Sequence, residues 1–248
     1  MAEQLSTLRV CALYPDLMNI YADRGNLIVL ERRCAWRGIA FQLSSSSLGQ
    51  GLEADAHDLF YLGGGQDRDQ RLCAEDLVEL KRDALHNAAA RGAVVLGVCG
   101  GYQLLGQSYV LGEQEILGTG LLGVRTVREP GPRLIGNVAI EVELHRDQPP
   151  GVLAGFENHG GRTYLEDGCQ PLGRVLKGHG NDGRSGYEGA RAGNVIGTYL
   201  HGPLLPKNVW FADWLIATAL GIDLAALEPL DGELERQAHL SARRVAGL

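Results

Sequence analysis

Cys99 is the residue of this chain best placed to do chemistry. It stands in Gly97-Val-Cys99-Gly-Gly101, directly after the apolar, β-branched run 93–98, which reads as a strand buried on both faces of a parallel sheet. Tyr102-Gln-Leu-Leu follows and has helix-forming character. A nucleophile on a sharp strand-to-helix turn, with a glycine two residues to either side, is the Gly-x-Ser-x-Gly arrangement with sulfur in place of oxygen. A helix N-terminus favours thiolate over thiol, so this position predicts a Cys99 pKa below the ordinary value of about 8.5. Thiolate attack on a carbonyl carbon needs a base nearby. His201 is the candidate, because it follows the strand-like run 194–200 at the end where open α/β sheets place their ligand crevice. His159 and His179 sit in glycine-rich surroundings that fix no direction for the ring. An oxyanion also needs donors. The Gly100 N–H and the loop Gly63-Gly64-Gly65 supply them if the preceding strands are neighbours, and one such donor is worth roughly 2.7–4 kcal/mol.

These residues need a scaffold, and the hydrophobic pattern predicts an α/β fold. A first strand over 8–14 precedes a helix over 27–37, and a second strand near Phe41 runs into the serines 44–47, read as a loop. A strand over 57–62 stops at the triple glycine. A helix over 75–91, with Leu77, Leu80, Ala84 and Ala88 on one face, closes at Gly92. Strands alternating with helices imply a mostly parallel central sheet flanked by helices. Beyond Gly106 the strands are shorter and glycine-punctuated, 133–144 among them, and predict additional antiparallel strands in the C-terminal half. Helices are expected over 207–220 and 228–244. No repeat or linker divides the chain, so residues 1–248 are read as one domain, with a core over about 8–220 and a helical tail over about 221–248.

Composition narrows the function classes. The 248 residues carry a formal charge of −7, which argues against nucleic-acid binding, since phosphate contacts require a basic footprint. The N-terminal Met1-Ala-Glu-Gln lacks a signal-peptide pattern, and no apolar run approaches the 18 or so residues of a membrane span. A cytoplasmic location is therefore expected. The five cysteines at 11, 34, 73, 99 and 169 form no close pair, and the seven histidines show no metal-ligand spacing, so neither disulfides nor a metal site is predicted. No Gly-x-x-x-x-Gly-Lys-Ser/Thr occurs, which disfavours a phosphate-loop role for the glycines 63–65.

The motifs taken together resemble a known family. The triple-glycine strand end, Gly97-Val-Cys99-Gly-Gly-Tyr-Gln, Thr198-Tyr-Leu-His201-Gly-Pro and Phe156-Glu-Asn-His-Gly160 are similar to those of class I (triad) glutamine amidotransferases of the cobyric-acid-synthase-like branch. Three further stretches resemble the GatD-type glutaminase subunits of lipid II isoglutaminyl synthase. They are Tyr14-Pro-Asp-Leu-Met-Asn-Ile-Tyr-Ala-Asp-Arg-Gly-Asn26, Asn158-His-Gly-Gly-Arg-Thr-Tyr164 and Tyr199-Leu-His-Gly-Pro-Leu-Leu-Pro-Lys207. The resemblance implies L-glutamine as substrate, Cys99 as nucleophile, His201 as acid and base, and Arg133 as the residue that binds substrate, its fork of donors suited to a carboxylate. Gly64, Gly65 and Gly100 would contact the substrate as oxyanion donors.

One departure from the family pattern shapes the partner expectation. Most triad amidotransferases carry His-x-Glu, whereas position 203 here is Pro. The third carboxylate then comes from elsewhere in the chain, such as Asp182 or Asp213, or from a partner. The resemblance favours a Mur-ligase-like (MurT-type) synthetase subunit. That partner would bind ATP and Mg, for which this chain shows no motif, and would amidate the D-glutamate α-carboxyl of the peptidoglycan stem peptide. The lipid-linked substrate would then be met only through the partner, at the inner face of the membrane. Rival expectations are the glutaminase of a cobyrinate-type or other amidating synthetase, a cysteine hydrolase of the intracellular-protease kind, and a non-catalytic interaction module. Residues 16–26 fit a site rim, a partner surface or a capped helix start.

Overall fold

The computed structural model describes residues 6–20, 23–111, 113–144, 150–166, 168–201 and 203–248. Met1-Ala-Glu-Gln, Tyr21 and Ala22 of the 14–26 motif, and Gly202 beside His201 lie outside the described residues.

Apolar side chains that alternate along a strand must be covered on both faces, and this requirement organises the centre of the molecule. Strands β1 (Thr7–Leu13), β2 (Ala40–Ser46), β3 (Leu59–Leu62) and β4 (Val94–Val98) pair in parallel. Helices α1 (Arg24–Ala35), α2 (Asp67–Asp76) and α3 (Arg82–Ala90) connect them, with a π-turn at Leu77–Lys81 between the last two. The short helix α4 (Gly100–Leu105) follows β4 directly. In β1, Leu8, Val10 and Ala12 enter one core while Cys11 and Leu13 enter the other; in β4, Val94, Leu96 and Val98 oppose Val95.

Two further sheets are built from the second half. β5 (Ser108–Leu111), β6 (Gln114–Leu117), β7 (Val124–Arg128) and β10 (Gly161–Leu165) form one, in the order β10-β7-β5-β6. β8 (Leu134–Val142), β9 (Gly151–His159), β11 (Gly173–Lys177) and β12 (Tyr187–Glu188) form the other, in the order β12-β11-β8-β9. The chain then returns to the central sheet as β13 (Ala190–Ala192), an antiparallel edge, and β14 (Val195–Thr198), parallel to β4. The full order is β13-β14-β4-β3-β1-β2. Its topological switch lies between β1 and β3, and the C-terminal ends of β1, β3, β4 and β14 open on the same side, where ligands of such sheets bind. Helices α5 (Leu204–Lys207), α6 (Val209–Leu220) and α7 (Glu233–Ala246) complete the chain.

The α/β architecture with a parallel-rich sheet agrees with the sequence pattern, and two elements differ. The serines 44–46 belong to β2 rather than to a loop. β2 is an edge strand with mostly exposed side chains, its serines 44–46 pairing through their backbone with Cys11–Leu13 of β1, while the buried Ser46 hydroxyl faces the Gln50 and Gly51 carbonyls. The helical stretch expected over 75–91 begins at Asp67, where Asp67 and Asp69 suit the positive end of a helix, and bends through the π-turn. Lys81, fully buried, leaves that turn to pair with Asp76 and reaches the Ser47 carbonyl oxygen at 3.2 Å. No helix among the described residues is long and apolar enough to cross a membrane.

Asp213 on α6 joins the helices of one face. Its oxygens accept from Arg33 at 2.5 and 2.7 Å and from Arg37 at 2.9 Å twice, and both guanidiniums are almost completely buried. Removing the anion leaves two buried cations short of a counter-charge, so Asp213→Ala is expected to cost about 3–5 kcal/mol. Chemical denaturation should show that loss as a lower midpoint at an unchanged slope.

Candidate active site

The sharp turn expected at Cys99 is present, and close packing explains its glycines. A Cβ at Gly101 would overlap the Leu62 carbonyl oxygen at the end of β3, and one at Gly97 would come 2.6 Å from Leu105 Cδ1. Glycine at both positions lets α4 lie directly on β3 and β4. Cys99 itself takes φ 54° and ψ −106°, a backbone conformation that an L-residue adopts at a cost of about 1–3 kcal/mol. The Cys99 N–H donates to the Thr198 carbonyl at 2.8 Å, so the turn is stitched to β14.

β14 also delivers His201, three residues beyond its last paired position. The backbone of His201 bridges to Phe156 on β9, with N···O distances of 2.9 and 3.1 Å, and the two rings meet edge to face. This bridge joins the β8–β9 sheet to the central sheet beside the site. The ring of His201 is buried, and burial lowers its pKa to about 4, with the neighbouring His159, Lys207 and Arg133 acting in the same direction. His201 is therefore a neutral imidazole at physiological pH, competent to accept a proton.

The thiol departs from the sequence expectation. Burial pushes Cys99 up to about 12, and the Asp23 carboxylate adds to the effect; the Gly100 N–H and Arg133 act in the opposite direction but do not prevail. A six-residue helix has too small an N-terminal field to offset desolvation of this size. The remaining cysteines are free thiols within the packing, with Cys11, Cys34 and Cys73 buried and Cys169 half-buried. None of the described residues forms a cluster suited to a metal ion.

The glycine loop after β3 meets the nucleophile as expected, with its donors divided. Gly64 N–H is committed to Asp23 Oδ2 at 2.7 Å, and the Gly64 carbonyl accepts from Ile20 N–H at 3.1 Å. Gly65 N–H has no hydrogen-bond partner among the described residues, and a Cβ placed on Gly100 would stand 2.9 Å from Gly65 N. Gly65 and Gly100 are thus the adjacent pair of backbone donors. Gly64 contributes by approach, since a Cβ there would lie 3.4 Å from Cys99 Cβ.

Arg133 precedes β8 and is exposed, yet it is held. Its Nε donates to Asn158 Oδ1 and its Nη2 to the Asn158 carbonyl, both at 2.8 Å. Arg162 supports the same corner through the Pro132 carbonyl at 2.8 Å. His159 is fixed as well, stacked on Tyr199 at 3.6 Å and bonded to the Gly161 carbonyl at 2.8 Å. His179 lends its backbone N–H to the buried Glu157 at 2.6 Å.

Sequence reasoning did not single out Asp23, Asn158 or the buried amide pair Gln70 and Gln103. Gln70 Nε2 donates to Gln103 Oε1 at 2.8 Å, and Gln103 passes the chain on to the Tyr199 hydroxyl at 3.1 Å. The available signal was position: Gln103 lies four residues after Cys99, and Asn158 lies within the Phe-Glu-Asn-His motif. The two in-chain candidates for a third carboxylate are occupied elsewhere. Asp213 holds Arg33 and Arg37, and Asp182 caps its own turn, accepting from Arg184 N and Ser185 N at 2.8 Å.

Because the thiolate is the species that alkylates, Cys99 in the isolated chain should react with iodoacetamide about tenfold faster per pH unit from 7 to 9, without a plateau. A plateau near neutrality, followed by peptide mapping, would contradict the raised thiol.

Comparison with known proteins agrees with this geometry. A model of the CobB/CobQ-like glutamine amidotransferase domain matches residues 9–209. The GatD subunit of the glutamine-hydrolysing lipid II isoglutaminyl synthase of Staphylococcus aureus (strain N315) is 38% identical over 231 residues, covering 93% of this chain and 90% of that protein. The corresponding GatD subunit of Streptococcus pneumoniae (strain ATCC BAA-255 / R6) is 38% identical, covering 86% and 80%. A cobyric acid synthase of Xanthobacter autotrophicus is also 38% identical, over 51% of this chain but 26% of that protein. Among solved structures, PurLQS from Thermotoga maritima shares the fold, with a TM-score of 0.59 at 21% identity over 94% of this chain and 98% of that one. The chain belongs to the CobB/CobQ-like glutamine amidotransferase family.

Proposed function

We propose that this chain is the glutaminase subunit of a two-subunit lipid II isoglutaminyl synthase. The near-full-length similarity to two GatD subunits carries the reading, and the elbow at Cys99 beside the strand that delivers His201 supports its chemistry. Cytoplasmic work suits an acidic chain, and the membrane-borne substrate is reached through the partner.

In this mechanism Cys99 Sγ attacks the side-chain amide carbon of L-glutamine while its proton passes to His201. The tetrahedral oxyanion is held by the Gly65 and Gly100 N–H groups, which gain strength as charge develops. The imidazolium then protonates the leaving nitrogen, the C–N bond breaks, and ammonia departs from a γ-glutamyl thioester. His201 next takes a proton from water, the hydroxide attacks the thioester carbon, and the proton returns to the sulfur as glutamate leaves. Arg133, already oriented by Asn158, binds the α-carboxylate.

The proton transfer that starts this sequence is unfavourable in the isolated chain. It moves a proton from a thiol held near 12 to an imidazole held near 4, among cationic neighbours. A carboxylate beside His201 would raise the imidazole and neutralise that cationic setting. We assign this carboxylate to the partner, a Mur-ligase-like synthetase that binds ATP and Mg and activates the D-glutamate α-carboxyl. Direct hand-over keeps ammonia unprotonated and nucleophilic.

A cobyrinate-type synthetase remains the alternative on the same family, and its relatives match only about half of this chain. Glutamate release from L-glutamine separates the readings. Cys99→Ala should lower turnover by roughly 10³-fold or more, and the partner should raise wild-type turnover by roughly 10²-fold. Turnover indifferent to Cys99 would overturn the glutaminase, and full turnover without the partner would overturn completion in trans.

A further inference from the structure

Leu17, Met18, Ile20 and Asp23 of the segment 14–26 lie against the glycine loop. A Cβ on Gly63 would overlap the Met18 carbonyl oxygen, and one on Gly65 would overlap Met18 Sδ. Ile20 N–H and the Asp23 carboxylate hold the two polar groups of Gly64. The segment is itself anchored at both ends. Tyr14, at φ 50°, donates its hydroxyl to Asp76 Oδ2 at 2.6 Å, and Asp76 also pairs with the buried Lys81. At the other end Asn26 donates to the Tyr61 hydroxyl and accepts from Leu205 N–H, both at 2.8 Å.

Asp23 is the unusual member. It occupies the N-cap position of α1, where an aspartate side chain ordinarily accepts an N–H of its own helix, yet its carboxylate makes no such bond. Asn19 Oδ1 accepts from Arg24 N–H at 2.9 Å instead. Asp23 turns inward to 1% exposure and reaches the loop beside the nucleophile: a Cβ on Gly64 would lie 3.3 Å from Asp23 Oδ2 and 3.9 Å from Cys99 Sγ. Burial makes a carboxylate there costly and raises Asp23 to about 7, and its charged form disfavours the thiolate that the reaction needs. Its hydrogen bond is the compensating feature. By taking the Gly64 N–H, Asp23 fixes the 63–64 peptide, and Ile20 N–H, by holding the Gly64 carbonyl, fixes the 64–65 peptide; the two together set the torsions of Gly64 and so the direction of the next donor, Gly65 N–H, beside Gly100.

We propose that Asp23 is a positioning residue for catalysis: its bond to Gly64 orients the glycine loop so that Gly65 and Gly100 form the oxyanion site. The proposal rests on the glutaminase reading above. Asn at this position keeps an acceptor oxygen without the charge, and Ala removes both.

The test is glutaminase kinetics of the chain in complex with its synthetase partner, for wild type, Asp23→Ala and Asp23→Asn, with Cys99 alkylation by iodoacetamide alongside. Alkylation at a saturated carbon forms no oxyanion, so it reports the thiol independently of the donors. Expected for Asp23→Ala is a fall in kcat of roughly 10²–10³-fold, the loss of one oxyanion donor, with KM changed less than about threefold. Alkylation should be as fast as wild type or faster, and Asp23→Asn should restore kcat to within about tenfold. Wild-type kcat in Asp23→Ala, Asp23→Asn as impaired as Ala, or slowed alkylation matching the fall in kcat would each overturn it. Higher turnover of Asp23→Ala without partner would also overturn it, because Asp23 would then be withholding the Gly64 donor. Absence of Cys99-dependent turnover in the wild-type complex would instead remove the glutaminase reading itself.

Discussion

Desolvation of a thiol and an imidazole at neighbouring strand ends is the constraint on which the rest of this site depends. Burial makes a charged form of either group expensive, so Cys99 and His201 rest neutral and far apart in proton affinity. The same water exclusion strengthens each donor aimed at a developing oxyanion. A site of this kind is quiet until a further charge enters it. In the proposed mechanism the nearby Lys207 and Arg133 fit an incoming carboxylate, and control by such an arrival would avoid wasteful release of ammonia.

The sheet supplies the geometry at low cost because every functional segment leaves a C-terminal strand end. β1 leads into the 14–26 segment, β3 into the glycine loop, β4 into Cys99 and β14 toward His201. These strands are rigid where their side chains fill two cores, one on each face. Close approach is paid for in side chains that are absent: Gly97 and Gly101 bring α4 against β3 and β4, and the elbow strain at Cys99 is held by the pairing of its N–H with Thr198. β9 then closes the site from the other sheet, bridging His201 through Phe156 and holding Arg133 through Asn158.

The turn at Cys99, the strand end at His201 and the motif position of Arg133 were legible in the sequence because each is marked locally. The parallel sheet was legible for a similar reason, since strand and helix periods alternate cleanly through residue 106. The thiol's pKa was not, because it depends on desolvation and on Asp23, a residue 76 positions earlier in the chain. Nothing within 16–26 marked Asp23; only the folded chain shows its carboxylate turned away from α1 to Gly64. The serines of β2 misled for a different reason. Edge-strand pairing is set by the neighbouring backbone, and side-chain polarity says little where no core is presented.

The most direct test of a site completed in trans is the titration of His201, followed by imidazole nitrogen NMR in the isolated chain and in the complex. Completion in trans predicts a midpoint well below neutrality, near 4, in the isolated chain, and a rise of about two pH units or more in the complex as a carboxylate arrives. An unchanged midpoint in a complex that hydrolyses glutamine would contradict it.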